Sequence, residues 1–490
     1  MNKKYIFVLS LFFICNAYSQ DSLNYRIAFF GSASDGKYTP FWMTSNTYGM
    51  VPLQPNNGYI RGDISWNHSF LNGIKLEAEV DVVTAAKHTS SFWFHQLYAA
   101  ASYRNISFFV GAKEQYYSML DKNLSSGDMT YSTNARPIPE INFAFPNYTD
   151  LPFTKGYIQF KCDFAVGKSF DNDYTLRTKI PDAKYAIDIL WHHKSLFFKW
   201  EDPNDRIPFW GVIGLDNAAQ WAGWTTYGDP KKNPNTKNPN TFRDFIRIVL
   251  NERGGEEASL GEQINALGNH VGTYNIKIGF KDKKFQTALY KQHFYEDKSG
   301  LELANWRDGI WGGELTLFNQ SFLQKVVLEY LQTTNQSGPL HFLYYDPILY
   351  PNARGGGSDN YYNHGIYYCG WSYFGRAIGN ALLTSPEYNE GNQLNFRNNR
   401  VKSIHLGLSG KISDEFSYRM LCTEMYGWGT HLRPFLKRKD NLSSLIECIY
   451  NPKKLNGWQI GLQASFDKGD LYGNNYGGSL KISKTGFIGK

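Results

Sequence analysis

After its first fifteen residues, this 490-residue chain has no apolar run approaching the ~20 residues that a membrane-spanning helix requires. Cysteine is almost missing as well. Beyond the leader only Cys162, Cys369, Cys422 and Cys448 occur, far apart and without a CxxC pair, so no metal or redox motif is written. There is no GxSxG elbow, no HExxH and no phosphate-binding loop, which removes the common signatures of hydrolases, zinc proteases and nucleotide-driven enzymes. His192-His193 in "ILWHHKSLFF" is the nearest approach to a metal pair, but neighbours on a strand point to opposite faces. The other histidines, among them His68, His88, His95, His270, His293 and His364, are spread singly. No catalytic residue, cofactor or metal is therefore expected, and the chain is not read as an enzyme. No Pro/Ser/Gly linker divides it into domains. The 51 Lys and Arg exceed the 44 Asp and Glu, for a net charge of +7, but they read as scattered through strands and turns. That argues against a nucleic-acid partner, and the positive balance is only a weak pointer to an acidic polysaccharide or lipopolysaccharide phosphates.

The start of the chain, "MNKKYIFVLSLFFICNAYSQ", has a basic n-region at Lys3 and Lys4, an apolar stretch and a small-x-small ending at Ala17-Tyr18-Ser19. This is the pattern of a signal peptide over 1–19, cleaved before Gln20, so the mature chain 20–490 is exported. A lipoprotein signal using Cys15 would place bulky Ile14 where a small residue is wanted.

What the sequence does have is aromatic residues and alternation. Tyr, Phe and Trp make up 17% of the chain, with 34 Tyr, 34 Phe and 13 Trp, and yet the mean hydropathy is −0.46. A barrel wall that faces lipid with every second residue gives both values together. In "GIKLEAEVDVV", Ile74, Leu76, Ala78, Val80 and Val82 fall on one face, and Lys75, Glu77, Glu79 and Asp81 on the other. Many such runs follow, from "GTYNIKIGFK" to "GWQIGLQASFDKG", in a rhythm of long strand, short turn, long strand, long loop. Aromatics gather near strand ends in "SFWFHQLY", "MYGWGTH" and "LNGWQI", as an interfacial girdle needs. The expected fold is all-β: one large transmembrane antiparallel barrel of roughly 16 to 18 strands with a few short helices. Irregular or plug segments are expected near 36–58 and 116–154. A helix-containing loop is expected near 229–270, its helix capped by Thr241 or Asn240 and stopped at Gly254-Gly255. Such a helix serves either as a lid over the lumen or as a plain surface helix.

Within "SGDMTYSTNARPIPEINFAF" (126–145), Pro137 and Pro139 have no N–H for a sheet ladder, so a paired central strand is excluded there. Non-strand backbone in a barrel survives at the mouth or inside the lumen. Arg136 and Glu140 are expected to pair with each other or with Glu77, Glu79 or Asp81, holding an inward plug; a ligand clamp is the other reading. Two loops carry the groups sugar recognition needs, flat aromatic faces beside amides, carboxylates and arginine. One offers Gln220, Trp221 and Trp224; the other offers Asp359, Asn360, Tyr361, Trp371, Arg376 and Asn380.

Four segments, "STNARPIPEI" (132–141), "LDNAAQWAGW" (215–224), "INALGNHVGTYNI" (264–276) and "DNYYNHGIYYCGWSYFGRAIGN" (359–380), are similar to the Wzi-type capsule assembly proteins in the form found in Bacteroidetes. They add Asn134, Asn269 and His270 to the candidate glycan-binding or plug residues. The resemblance implies a monomeric outer-membrane barrel of about 18 strands with an occluded lumen. It also implies a lectin-like, non-enzymatic role in binding exported capsular polysaccharide and holding it at the cell surface, among outer-membrane lipid and lipopolysaccharide. No single glycan contact transfers from the enterobacterial branch, because no motif aligns one. The alternative reading is a porin-like channel for small solutes or glycans.

Overall fold

A computed structural model describes residues 20–180, 183–227, 236–318, 322–338 and 359–488. Segment 1–19, where a signal peptide is expected, lies outside the described residues. Eighteen strands form one antiparallel sheet in which each strand pairs with its neighbours in sequence. The last strand, Asn475–Ile488, pairs with the first, Gln20–Asp35, in register from Leu23↔Ile488 to Asp35↔Tyr476, and this closes the barrel. Closure leaves no strand edge with unpaired N–H and C=O groups, as a wall surrounded by hydrocarbon demands.

The longest connections all share one end. Tight turns at 70–73, 104–105, 282–284 and 412–415 share one rim, and the long segments 36–57, 113–139, 169–189, 222–268 and 333–400 all leave from the other. Outward positions are apolar and uncovered in the isolated chain: Ile27 and Phe29, Ile60 and Ile64, Ile213, Ile276 and Ile278, Leu289, Ile404 and Leu462 are examples from around the wall. At the tight-turn rim Tyr103, Trp200, Phe209, Phe416 and Trp458 add an aromatic ring, with Phe416 stacked on Tyr450 at 4.4 Å. An apolar band edged by aromatics is what lipid contact selects.

Inward positions are polar and paired. Arg61 holds Asp81 at 2.5 Å and Glu114 at 2.8 Å, and Lys277 holds Glu314 at 2.8 Å. His193 lies between Asp163 (2.6 Å) and Asp216 (2.9 Å). One register irregularity matters here. Opposite Asp81–Val82 the strand Phe92–Tyr103 carries an extra residue, so that consecutive His95 and Gln96 both turn inward. His95 reaches Glu114 at 3.0 Å and Gln96 reaches Glu79 at 2.9 Å.

Segments 36–57, 113–139 and 359–400 descend into the lumen. Every residue over 124–138 and over 375–386 is buried, although neither stretch belongs to the wall. The sequence expectation carried the first plug to 154. The structure instead starts a paired strand at Glu140 (Glu140–Asp150), immediately past Pro139, where every residue up to Pro146 again has an N–H to give.

The helix Phe242–Leu250 begins at Thr241, whose hydroxyl and Asp244 form a reciprocal capping box, as expected. It does not enter the lumen. Along Phe209–Trp221, Asp216, Ala218 and Gln220 face inward, so Ala219 and Trp221 face out. The helix covers these two from outside the barrel through Ile248 and Phe245, whose ring also meets Phe164 and His192. The lid reading of this helix is therefore corrected, because its buried stripe matches an outer-wall patch. Among the described residues Cys162, Cys369, Cys422 and Cys448 are free thiols.

Candidate functional site

Five of the fourteen candidates picked from sequence, Asn134, Arg136, Trp371, Arg376 and Asn380, are found where the three lumenal segments interlock. Segment 113–139 meets 359–400 through Ser132 N–H to the Ile378 carbonyl (2.9 Å) and the Asn134 amide to the Ala377 carbonyl (3.0 Å). The Asn380 amide donates to the Gly127 carbonyl (2.5 Å), Trp371 Nε1 to the Thr130 carbonyl (2.8 Å) and the Tyr362 hydroxyl to the Met129 carbonyl (2.5 Å). Segment 36–57 joins them. Arg376 donates to the carbonyls of Thr44 (2.9 Å) and Val51 (2.7 Å) and pairs with Glu387, while Tyr48 N–H reaches the Thr133 carbonyl at 2.6 Å. Tyr361 is buried between Asn305 (2.5 Å) and Asp308 (2.9 Å). Side chains thus replace water as partners for irregular backbone, which is what permits such backbone at this depth.

Arg136 and Glu140 do not pair with each other, nor with Glu77, Glu79 or Asp81. The Arg136 guanidinium is sandwiched between the rings of Trp93 (4.1 Å) and Phe374 (4.3 Å) and donates to His88 Nδ1 at 3.2 Å. Burial pushes Arg136 down to about 10. Glu140 points the other way, accepting from Trp191 Nε1 (3.2 Å) and Asn142 (3.1 Å). An extended, proline-stiffened backbone puts residues four apart out of mutual reach, and the aromatic faces then offer the cation its partners.

The group Gln220, Trp221 and Trp224 does not converge. Gln220 accepts from Asn269 at 2.8 Å on the lumenal side, and Trp221 lies under the outer helix. Trp224 belongs to a small sheet of Lys184–Ile187, Trp224–Tyr227 and Thr236–Lys237 built on the loops.

Among the hollows that open to solvent at the long-loop mouth are two polar-aromatic clefts. The first, of about 630 Å³, gathers Asn269, His270, Asp359 and Asn360 from the sequence candidates. Around them stand Asn265, Asp297, Asn363, His364, Tyr368 and Arg433, which sequence reading missed. Asp359 accepts from Ser337 (2.7 Å) and Ser299 (3.4 Å), and burial, reinforced by the nearby Asp297 charge, pushes it up to about 7. Burial holds His364 down to about 4, so its imidazole is neutral. His270 Nε2 is tied to the Leu267 carbonyl at 2.8 Å, and among the described residues its buried Nδ1 has no partner, nor has Asn395 Oδ1. The second cleft, of about 470 Å³, is walled by Tyr38, Tyr388 and Tyr472, with Tyr388 packed on Tyr472 at 4.7 Å. Asn389, Gln393, Lys37, Lys439 and Arg397 complete it, with Glu390 and Asp470 as its acids.

Between the clefts the fold gathers basic residues that read as scattered in the sequence. Arg397 lines the second cleft and Arg433 the first, and each lies close enough for Arg433 to depress Arg397, below the effect of burial. Arg400 adjoins His431. Among the described residues Arg397, Arg400 and Arg433 have no carboxylate partner. The signal was present as "FRNNRVK" and "LRPFLKRK", runs that the pairing of neighbouring strands brings side by side. A metal site is a poorer fit. Asp63, Glu79 and Asp81 bring carboxylate oxygens within 4.8 Å of one another, but Arg26 (2.5 Å to Asp63) and Arg61 (2.5 Å to Asp81) already balance them.

Comparison with known proteins places the fold. No protein-family model matches the sequence, and no curated protein matches it. Among solved structures it is similar to Wzi of Escherichia coli, described as an outer-membrane protein involved in group 1 capsule assembly and as a carbohydrate-binding β-barrel. The TM-score is 0.57 at 12% identity, over 94% of this chain and 83% of that one. OccK2 and OccK5 of Pseudomonas aeruginosa are more distant, with TM-scores of 0.48 and 0.45, both at 7% identity over 96% of this chain and 98% of theirs. The fold is that of outer-membrane β-barrels.

Proposed function

We propose that this chain is a monomeric outer-membrane barrel that binds exported surface polysaccharide at its long-loop mouth and holds it at the cell, without chemistry of its own. The observation that carries this is the pair of polar-aromatic clefts lined by Arg433 and Arg397, which with Arg400 have no carboxylate partner among the described residues, above loops that fill the lumen. Tyrosine faces suit the C–H-rich side of a sugar ring, and amides and carboxylates suit its hydroxyls. Asp359, near half-protonated at neutral pH, can both donate and accept. The motif resemblance to Wzi-type capsule assembly proteins of the Bacteroidetes branch supports the same reading, as does the fold likeness to a carbohydrate-binding barrel. Passage of solutes, the other reading, would require three interlocked segments to part.

The test is equilibrium binding of surface polysaccharide purified from the producing cells. Arg397→Gln/Arg433→Gln should weaken it at least tenfold, since each charge-assisted hydrogen bond contributes about 1.5–3 kcal/mol. Cells lacking the protein should shed polymer into the medium. Unchanged binding by the variant together with full retention of polymer by the deletion strain would sink the proposal, and a steady large conductance would favour the channel.

A further inference from the structure

The helix Phe242–Leu250 presents one stripe to the wall and another to whatever surrounds the barrel. Asp244 and Ile248 are buried on the wall side. Phe242, Ile246 and Leu250, spaced four apart on the opposite side, are 78%, 39% and 60% exposed. Four-residue spacing puts them in one line along the helix. An apolar line facing water from a helix that already has a buried face calls for an occupant.

Its position narrows the choice. The helix packs on outward-facing Ala219, Trp221, His192 and Phe164, and Phe164 is itself an exposed member of the wall's apolar band. The stripe therefore continues the lipid-facing surface at the long-loop rim. Other long-rim connections also expose apolar side chains, Leu260 on the helix Leu260–Ile264 and Leu303 and Trp306 in the connection 296–308. Charge is arranged to match. Arg247 is committed to Asp244 (2.9 Å) and Glu257 (2.6 Å), whereas Arg243 and Arg253, beside the two ends of the stripe, have no carboxylate partner among the described residues. Both line an open hollow of about 600 Å³ with Arg247 and Lys298, four cations against the two carboxylates Glu252 and Asp297. An apolar line flanked by unpaired arginines is the pattern of a helix lying in a membrane interface, its apolar side among acyl chains and its cations at phosphates.

We infer that this helix is an interfacial anchor on the outside of the barrel. Its Phe242–Ile246–Leu250 stripe contacts acyl chains of the outer leaflet, and Arg243 and Arg253 contact the phosphates of a phosphorylated, acylated lipid. The contact holds the loop that leads into the strand opening with Asn269 and His270 level with the membrane surface.

Photocrosslinking in the producing cells reads this directly. Leu250→p-benzoylphenylalanine and Phe242→p-benzoylphenylalanine should form adducts that carry lipid phosphate, as should the wall control Ile213→p-benzoylphenylalanine. Adducts to a protein, or none at all while the Ile213 control labels lipid, would overturn the inference. A second arm uses the purified full chain with lipopolysaccharide-doped phosphatidylcholine vesicles. The lipopolysaccharide needed to half-saturate thermal protection should rise about tenfold in Arg243→Gln/Arg253→Gln. An unchanged requirement would remove the phosphate contact. If free inorganic phosphate protects as well as the lipid does, the source is not a lipid, and the inference also fails.

Discussion

Gly379 offers a sharp test of how the lumen is filled. It sits where segment 359–400 crosses 113–139, and a Cβ placed there would fall well inside contact distance of the Met129 carbonyl oxygen and the Tyr362 hydroxyl, with Tyr362 Cζ at 2.8 Å. Neither obstacle can simply swing away. The Met129 oxygen is backbone, anchored by Met129 N–H to Gln292 (2.9 Å), and the Tyr362 hydroxyl is held by Met129 (2.5 Å) and by Asn380 N–H (2.9 Å). Gly379→Ala must push the two segments apart. Overpacking of this kind costs about 1–3 kcal/mol. Losing the two hydrogen bonds at Tyr362, and the one from Ser132 Oγ to the Gly379 carbonyl (2.6 Å), adds about 1 kcal/mol each. The expected total is about 4–6 kcal/mol, drawn from the interlock and not from the wall, whose hydrogen bonds are untouched. The variant should therefore still migrate as a folded, heat-modifiable barrel while showing new ion conductance in planar bilayers and new protease cleavage within 113–139 or 359–400. Gly62→Ala, in the wall with nothing within 4 Å of its added carbon, is the matched control. A Gly379→Ala protein as closed and as resistant as the Gly62→Ala control would refute the idea that this crossing fills the lumen.

Two further outcomes follow from wall and plug. Glu387 beside Arg376 has 14% of its side chain exposed, and burial raises it from 4.5 to about 7 despite the arginine. Between those values the folded chain binds more protons than the unfolded one, so stability falls as pH rises through the window, by about 3 kcal/mol in all. In Glu387→Gln the fall should flatten, as measured by unfolding rate against pH; an equally steep profile in the variant would exclude Glu387 as the cause. On the lipid side, Ile213→Lys should destabilise the barrel in vesicles by about 2–4 kcal/mol, and an unaffected urea midpoint would mean that this face does not meet hydrocarbon.

How much of this could be read in advance depended on whether the deciding contacts were local. Alternation in "GIKLEAEVDVV" announces a wall strand because period two is a property of the strand itself. The Thr241 cap and the two prolines at 137 and 139 likewise act within a few residues. Which side of the wall the helix covers is not local. It depends on Ala219 and Trp221 pointing outward, a parity set by register with neighbouring strands. Arg136 illustrates the same limit, since Trp93 and Phe374 come from chain far on either side of it. The bulge that turns both His95 and Gln96 inward breaks the alternation that made the rest legible. For the site, the acid, amide and aromatic types were visible, but only folding separates Asn269, His270, Asp359 and Asn360, which line a cleft, from Trp371 and Asn380, which are sealed beneath it. The Arg397–Arg433 meeting needed the loops at the ends of paired strands to be seen together.

The interlock also sets an order of events. Arg376 binds the backbone of Thr44 and Val51 across more than 300 positions of sequence, and the first strand finds its second partner only in the last. Contacts of such separation form late, because the intervening chain must first be confined. No length of chain short of the last strand, Asn475–Ile488, holds both the closed wall and the whole plug. The protein can be sealed only after its C-terminal strand arrives, so whatever inserts it must shelter a polar, half-filled cylinder until the final hairpin closes.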